Sequence, residues 1–192
     1  MIVADGRHEY VLRRYLRGGL PGRIVKESYI WTGERQTRSF AEWYLLAKLY
    51  SLGLPVPRPV AARYLRHGPV YSADLLTLRI PAIQSLAERI ATAPTTSNFW
   101  RKVGAQVQRF HGAGVYHADL NAYNVQLGQS DKLFLLDFDR GRIRSPGHWQ
   151  QQNIARLHRS LRKVKQLDRE LHFDAANWSE FLDGYFNASR LA

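Results

Sequence analysis

His117-Ala118-Asp119-Leu120-Asn121-Ala122-Tyr123-Asn124 sets a carboxylate and an amide five positions apart, and Asp137-Phe138-Asp139 begins thirteen residues after Asn124. Side chains of those types at that spacing suit phosphoryl transfer. That reaction needs an Asp beside the acceptor hydroxyl, and an Asn and a second Asp to hold Mg²⁺ on the nucleotide phosphates. Asp119, Asn124 and Asp137 are therefore the candidate catalytic residues, with Asn124 and Asp137 as the metal ligands. Taken singly, each fits a plainer role: Asp119 and Asn124 as turn formers, Asp137 as a strand-ending cap. The joint spacing favours the shared site.

Such residues need elements to position them. Lys132–Leu136 reads as a short buried strand delivering Asp137, with Gly128-Gln129-Ser130-Asp131 as a hairpin-like return. Upstream, Tyr10–Tyr15 alternates like a strand, and Gly18-Gly19 and Pro21-Gly22 break it. Thr37–Leu52 reads as a helix whose apolar face draws on Phe40, Tyr44 or Trp43, Ala47 and Leu49. Gly53 stops it, and Pro55, Pro57 and Pro59 force an extended connector. Val60–Tyr64 and Val70–Ile80 read as strands; Ser85–Ala91, Ser97–His111, Asn153–Gln166 and Trp178–Leu191 read as helices.

Strands with one helix, followed mostly by helices, predict an α+β protein with a protein-kinase-like bilobal fold. Residues 1–84 form a reduced N-terminal sheet lobe with one helix. Residues 85–192 form a small helical C-terminal lobe carrying the catalytic and metal-binding loops, and the two make one kinase-like domain. ATP is expected in the crevice between the lobes. Ile80 is the expected backbone donor to adenine, because Pro81 has no N–H.

A kinase also needs a cation on a strand for the phosphates and a helix Glu to orient it. Arg13 and Glu42 are the candidates, with Val11 on the same strand face against the adenine and Arg14 pointing away. The plainer readings are a solvated Arg13, and a Glu42 paired with Arg38 on its own helix. No Gly-rich phosphate loop precedes Tyr10, and the strands that usually cover the nucleotide leave no pattern there. The sheet lobe reads as truncated at its start or as managing without them.

With 45% apolar and 23% charged residues among 192, the chain has the composition of an ordinary soluble globular protein. It has no cysteine, which excludes disulfides, thiolate zinc sites and thiol nucleophiles. No signal-peptide core or bilayer-length apolar run is evident. Twenty-eight basic residues against sixteen acidic ones leave a net charge of +12, which favours nucleic acid, an anionic membrane surface or a multiply anionic substrate. From Arg140 to Lys165 there are eight Arg/Lys and no Asp or Glu. There Ile154, Leu157, Leu161 and Val164 form a core-facing stripe, and Arg156, Arg159, Arg162 and Lys163 suit an anion. Tyr29, Trp31 and Trp149 suit either a cleft rim or the core.

The strings Val11-Leu12-Arg13, Arg17-Gly18-Gly19, Tyr29-Ile30-Trp31, Gly53-Leu54-Pro55-Val56-Pro57-Arg58-Pro59-Val60-Ala61, Tyr116 through Asn124 and Asp137-Phe138-Asp139-Arg140-Gly141 together resemble the lipopolysaccharide kinase family. Within it, the chain looks like the kinases acting on 3-deoxy-D-manno-octulosonic acid (Kdo). The resemblance runs from about residue 6 to residue 165. It implies ATP and Mg²⁺ as cofactors and transfer of the γ-phosphate to the 4-hydroxyl of Kdo on lipid A in lipopolysaccharide core biosynthesis. It also implies a peripheral protein on the cytoplasmic face of the inner membrane. No obligate protein partner is evident in the sequence. By it, Asp119 is the base and Asn124 and Asp137 the metal ligands. Asp139 is expected to pair with Arg140 or Arg142 or to line the cleft, and Asn121 to touch substrate or shape the turn.

Other readings predict different chemistry. Aminoglycoside or choline kinases share the motif, but their cationic acceptors call for acidic clefts. A protein kinase would carry an Ala-Pro-Glu anchor after Asp137, and none is present. A nucleic-acid-binding or inactive kinase-like module would rest on the basic charge alone.

Overall fold

The computed structural model describes residues 1–15, 29–129 and 132–188. Arg17, the breaks at Gly18-Gly19 and Pro21-Gly22, Ser130-Asp131 of the return, and the end of the last helix lie outside the described residues. The chain divides into two compact units, Met1–Pro81 with Phe138–Arg140, and Ala82–Asp137 with Gly141–Ala192. The first is rich in sheet and the second in helix, so the molecule is α+β as expected.

The first unit contains β1 (Ile2–Ala4), β2 (Glu9–Arg14), β3 (Tyr29–Ile30), a 3₁₀ turn at Glu34–Gln36, α1 (Arg38–Ser51), β4 (Pro59–His67) and β5 (Val70–Leu78). Strand β5 is the hub of a five-stranded antiparallel sheet. Strand β4 pairs along its whole length, so β2 and β3 share its other edge. Asp74 pins the register. It lies opposite Arg14 on β2 and Arg63 on β4, and both guanidiniums bond its carboxylate, Arg14 at 3.1 Å and Arg63 at 2.6 Å. Burial opposes ionisation of Asp74, but the hydrogen bonds from Arg63 and Arg14 outweigh it and lower its pKa.

Two expectations change here. A strand does precede Tyr10: β1 pairs with β2 across a turn in which Gly6 takes φ 87°. Three residues are too few for alternation to show in a sequence. The buried face of α1 is Glu42, Leu45, Leu46 and Leu49 rather than Phe40 and Tyr44, and Tyr44 is exposed. The true stripe keeps helical spacing but contains a carboxylate.

The second unit contains β6 (Gln84–Ser85), α2 (Leu86–Thr92), α3 (Ser97–Gly112), β7 (Val115–Tyr116), β8 (Val125–Leu127), β9 (Leu133–Leu135), β10 (Arg142–Ile143), α4 (Trp149–Leu167) and α5 (Ala175–Phe186). Reciprocal capping boxes open α2, from Ser85 to Glu88, and α5, from Asp174 to Asn177. Those caps place the two helix starts. Helix α5 begins before the expected Trp178, and α4 begins at Trp149, ahead of the apolar repeat.

Helices α3 and α5 approach closely through Gly104 and Gly184. A Cβ on Gly104 would lie 2.0 Å from the Phe181 carbonyl oxygen, and one on Gly184 would lie 2.0 Å from that of Arg101. Trp100, Phe110 and Phe181 fill the core around this contact. Trp149 is buried too, donating its Nε1–H to the Ser145 carbonyl, which makes it core rather than rim. The β6–β8–β9 sheet and the β7–β10 pair carry the loops of interest. Among the described residues, no helix is long and apolar enough to cross a membrane.

Candidate active site

The loop between β7 and β8 carries His117 through Asn124. Its shape comes from its own polar side chains. The Asn121 carbonyl oxygen Oδ1 accepts the backbone N–H groups of Tyr123 and Asn124, both at 2.9 Å. The Asn121 amide donates to Asp119 Oδ2 at 3.0 Å and to the Asp119 backbone carbonyl at 3.2 Å. Asn121 thus builds the turn, the second of the two roles open to it.

A closed circuit of hydrogen bonds then links this loop to the end of β9. Asp119 N–H donates to His117 Nδ1 at 3.2 Å. The Asp119 carbonyl accepts from Asn124 Nδ2 at 2.8 Å. The Asn124 carbonyl accepts the Leu136 N–H at 2.9 Å. The Leu136 carbonyl lies 2.9 Å from His117 Nε2. Because Nδ1 is the acceptor in this ring, Nε2 carries the proton and donates to Leu136.

His117 is 1% exposed, and burial pulls its pKa down despite the bond to the Leu136 carbonyl and the negative charges of Asp137 and Asp119. An imidazole with both nitrogens engaged in these hydrogen bonds positions the loop. Asn124 spends its Nδ2 on Asp119, and among the described residues its Oδ1 accepts no hydrogen bond. Asp137 follows Leu136 directly and takes φ 61°, left-handed backbone that Asp tolerates better than most residues. Asp119 is exposed, at 62% of its side chain.

Helix α4 buttresses the loop, and sequence reasoning missed this. Buried Asn153 accepts the His117 backbone N–H at 3.1 Å, and Ser160 Oγ accepts that of Ala122 at 3.1 Å. Arg156, between them on the helix, brings Nη1 to 3.9 Å from Asp119 Oδ1. The only signal available beforehand was two small polar residues beside an apolar stripe.

In the first unit, Arg13 is ion-paired with Glu42 and donates to the Tyr15 hydroxyl at 2.9 Å. Glu42 is buried. It accepts the Tyr15 hydroxyl at 2.6 Å on one oxygen and the Phe138 backbone N–H at 3.2 Å on the other. Glu42 does not pair with Arg38. Arg38 instead grips Asp139 with two nitrogens, Nε at 2.8 Å from Oδ1 and Nη2 on Oδ2, and donates to the Tyr29 hydroxyl at 2.9 Å. Asp139 therefore finds Arg38 from α1, not Arg140 or Arg142. A fork–fork pair over a hundred residues of sequence separation leaves no local trace.

Val11 shares Arg13's strand face and is exposed. After β5, the Arg79 N–H is committed to the Glu9 carbonyl at 2.8 Å, and among the described residues the Ile80 N–H meets no protein acceptor.

The Asn124 oxygen and the Asp137 carboxylate are hard oxygen donors, Asn124 just before β8 and Asp137 just after its neighbour β9, which suits Mg²⁺ on a nucleotide. That ion takes one or two protein oxygens and fills its shell with phosphate and water. Among the described residues there is no cluster of three or more His, Cys, Asp or Glu.

Comparison with known proteins agrees with the resemblance. Residues 1–185 match the Lipopolysaccharide kinase (Kdo/WaaP) family. A protein of Vibrio parahaemolyticus named 3-deoxy-D-manno-octulosonic acid kinase is 41% identical over 162 residues, covering 84% of this chain and 68% of that protein. Proteins of the same name from Xanthomonas axonopodis pv. citri and Xanthomonas euvesicatoria are 47% and 46% identical, each covering 81% of this chain and 62% of the relative. A solved kinase of the Cydia pomonella granulovirus is 11% identical with a TM-score of 0.45, a likeness too loose to carry weight. The match along nearly the whole chain, together with the identity to these relatives, shows that the chain belongs to the lipopolysaccharide kinase (Kdo/WaaP) family.

Proposed function

We propose that the chain transfers the γ-phosphate of ATP to the 4-hydroxyl of Kdo on a Kdo-lipid A acceptor. The observation that supports this reading is the circuit through His117, Asp119, Asn124 and Leu136, which ties the loop bearing the candidates Asp119 and Asn124 to the residue before Asp137.

Asp119 Oδ1 accepts the hydrogen bond of the acceptor hydroxyl and aims its oxygen at the γ-phosphorus. Asn124 and Asp137 hold Mg²⁺, which when bound neutralises charge on the phosphates. Arg13, braced by Glu42, takes phosphate oxygens with its fork, a wider grip than an ammonium provides. Val11 packs against the adenine, and the Ile80 N–H bonds its edge. Most of the catalysis comes from positioning and electrostatics.

The acceptor is a membrane-embedded polyanion, so the reading includes peripheral residence at the cytoplasmic face of the inner membrane. The net charge of +12 supports it, at about 1 kcal/mol per basic residue near an anionic surface. The test is incubation with labelled ATP, Mg²⁺ and Kdo-lipid A, beside an aminoglycoside and a protein substrate. Label on Kdo-lipid A alone, lost in Asp119→Asn, is the expected result. Preference for either other acceptor overturns the proposal.

A further inference from the structure

We infer that Arg156 is an acceptor-specificity residue, its guanidinium binding the carboxylate of the sugar acid whose hydroxyl Asp119 receives. This rests on the function proposed above and adds to it the residue that reads the acid group.

The two oxygens of Asp119 are not equivalent. Oδ2 is occupied by the Asn121 amide, which leaves Oδ1 for an incoming hydroxyl. Arg156 Nη1 is 3.9 Å from that same Oδ1. The gap is long for an ion pair, and both side chains are well exposed, 45% for Arg156 and 62% for Asp119. A pair of that kind does little to hold a fold, so its placement calls for another reason.

The placement is nonetheless fixed. Asn153 and Ser160, on either side of Arg156 along α4, both bond the catalytic loop. Arg156 is three residues from one tie and four from the other, on the side of the helix that faces the loop. The backbone under Arg156 therefore cannot drift relative to Asp119.

The loop from Ala118 to Asn124 contains no Lys or Arg, so the cation beside Asp119 comes from α4. A carboxylate accepts two guanidinium N–H groups side by side. One hydrogen bond of about 2.8 Å on each side of the gap reaches a hydroxyl and a carboxylate several ångströms apart, a separation found on one sugar ring. The relatives are named as kinases of an acid, 3-deoxy-D-manno-octulosonic acid. Farther along the same stripe stand Arg159 and Lys163, which extend the positive field away from Asp119.

The other anion that could meet Arg156 is the phosphoryl group in transfer, and kinetics separates the two. Arg156→Gln and Arg156→Lys are compared with the unchanged protein on Kdo-lipid A and on the analogue whose Kdo carboxylate is reduced to an alcohol, with acceptor binding followed by calorimetry. Arg156→Gln is expected to raise KM for the natural acceptor at least tenfold while KM for ATP stays within twofold. Arg156→Lys is expected to recover part of the loss. The unchanged protein should lose a similar factor on the reduced acceptor, and Arg156→Gln should lose nothing further. A uniform drop in kcat on both acceptors would assign Arg156 to the phosphoryl group and overturn the inference, as would unchanged acceptor KM. If the unchanged protein labels neither acceptor yet binds ATP, the proposed function itself fails, a result distinct from either of these.

Discussion

Phe138 donates its backbone N–H to Glu42 at 3.2 Å, on the carboxylate that also holds Arg13 and the Tyr15 hydroxyl. Phe138 is thus anchored by a helix acid nearly a hundred residues upstream. Glu42→Gln keeps a hydrogen-bonding side chain but removes the charge opposite Arg13. Stability should fall by about 2 kcal/mol, since a partly buried guanidinium loses its counter-ion. KM for ATP should rise roughly tenfold as Arg13 loses its brace. Urea unfolding and initial-rate kinetics check the two separately. An unchanged KM for ATP would detach the Arg13–Glu42 pair from nucleotide binding.

Asp119→Asn and Asp137→Ala address the chemistry directly. Asp119 is exposed and Asn can keep the contact with Asn121, so Asp119→Asn should leave the thermal midpoint within a few degrees. Turnover should drop by roughly 10³-fold in each variant, the scale expected when a base or a preorganised electrostatic group is lost. Near-normal kcat in either folded variant would remove the mechanism.

What could be read in the sequence was whatever depends on local spacing. The loop motif, the strand before Asp137, the Arg13 strand and the long helices all announce themselves through fixed offsets or periodicity. The missed features are those whose meaning comes from a partner distant in the chain. The burial of Glu42, unlike its pairing with Arg13, does not show in the apolar repeat of α1, because it depends on Arg13 and Tyr15 meeting the carboxylate. Arg38 and Asp139 are 101 residues apart, and nothing near either points to the other. Asn153 and Ser160 read as ordinary polar positions in the sequence, and only the packing of the His117–Asn124 loop on α4 gives them partners.

Asn153 supplies a test of that buttress. Its Oδ1 is the acceptor for the buried His117 N–H, so Asn153→Ala strands a donor and should cost about 1–3 kcal/mol. Loosening His117 should also lower kcat while leaving both KM values close to normal, because the loop is mispositioned and no ligand contact is lost. Asn153→Asp, which keeps the acceptor oxygen, should recover much of the kcat. A stability loss with kcat unchanged would reduce Asn153 to a purely structural role.

Gly184→Ala examines the helix pair behind the site. The added Cβ would meet the Arg101 carbonyl oxygen at 2.0 Å and its Cα at 2.4 Å, both backbone atoms that cannot swing aside. Helices α3 and α5 must then separate, at about 1–3 kcal/mol or more. Chemical denaturation should show the loss. Full stability would mean that the two helices slide without cost.

Acid should weaken the fold through His111. Its ring is 2% exposed, its Nδ1 lies 2.8 Å from the Tyr185 hydroxyl, and burial lowers its pKa to about 4. The folded group stays neutral where the unfolded one, near 6.5, takes up a proton. The unfolded state therefore binds more protons below that value, and stability is complete above about pH 6.5 and is lost as pH falls toward 4. The loss between pH 7 and pH 5 should be about 2 kcal/mol from this residue alone. His117, also lowered by burial, adds in the same direction. Urea midpoints across that range should fall with acid in the unchanged protein and fall less in His111→Gln, which cannot titrate. Parallel slopes in the two proteins would show that His111 already takes up a proton within the fold at pH 5.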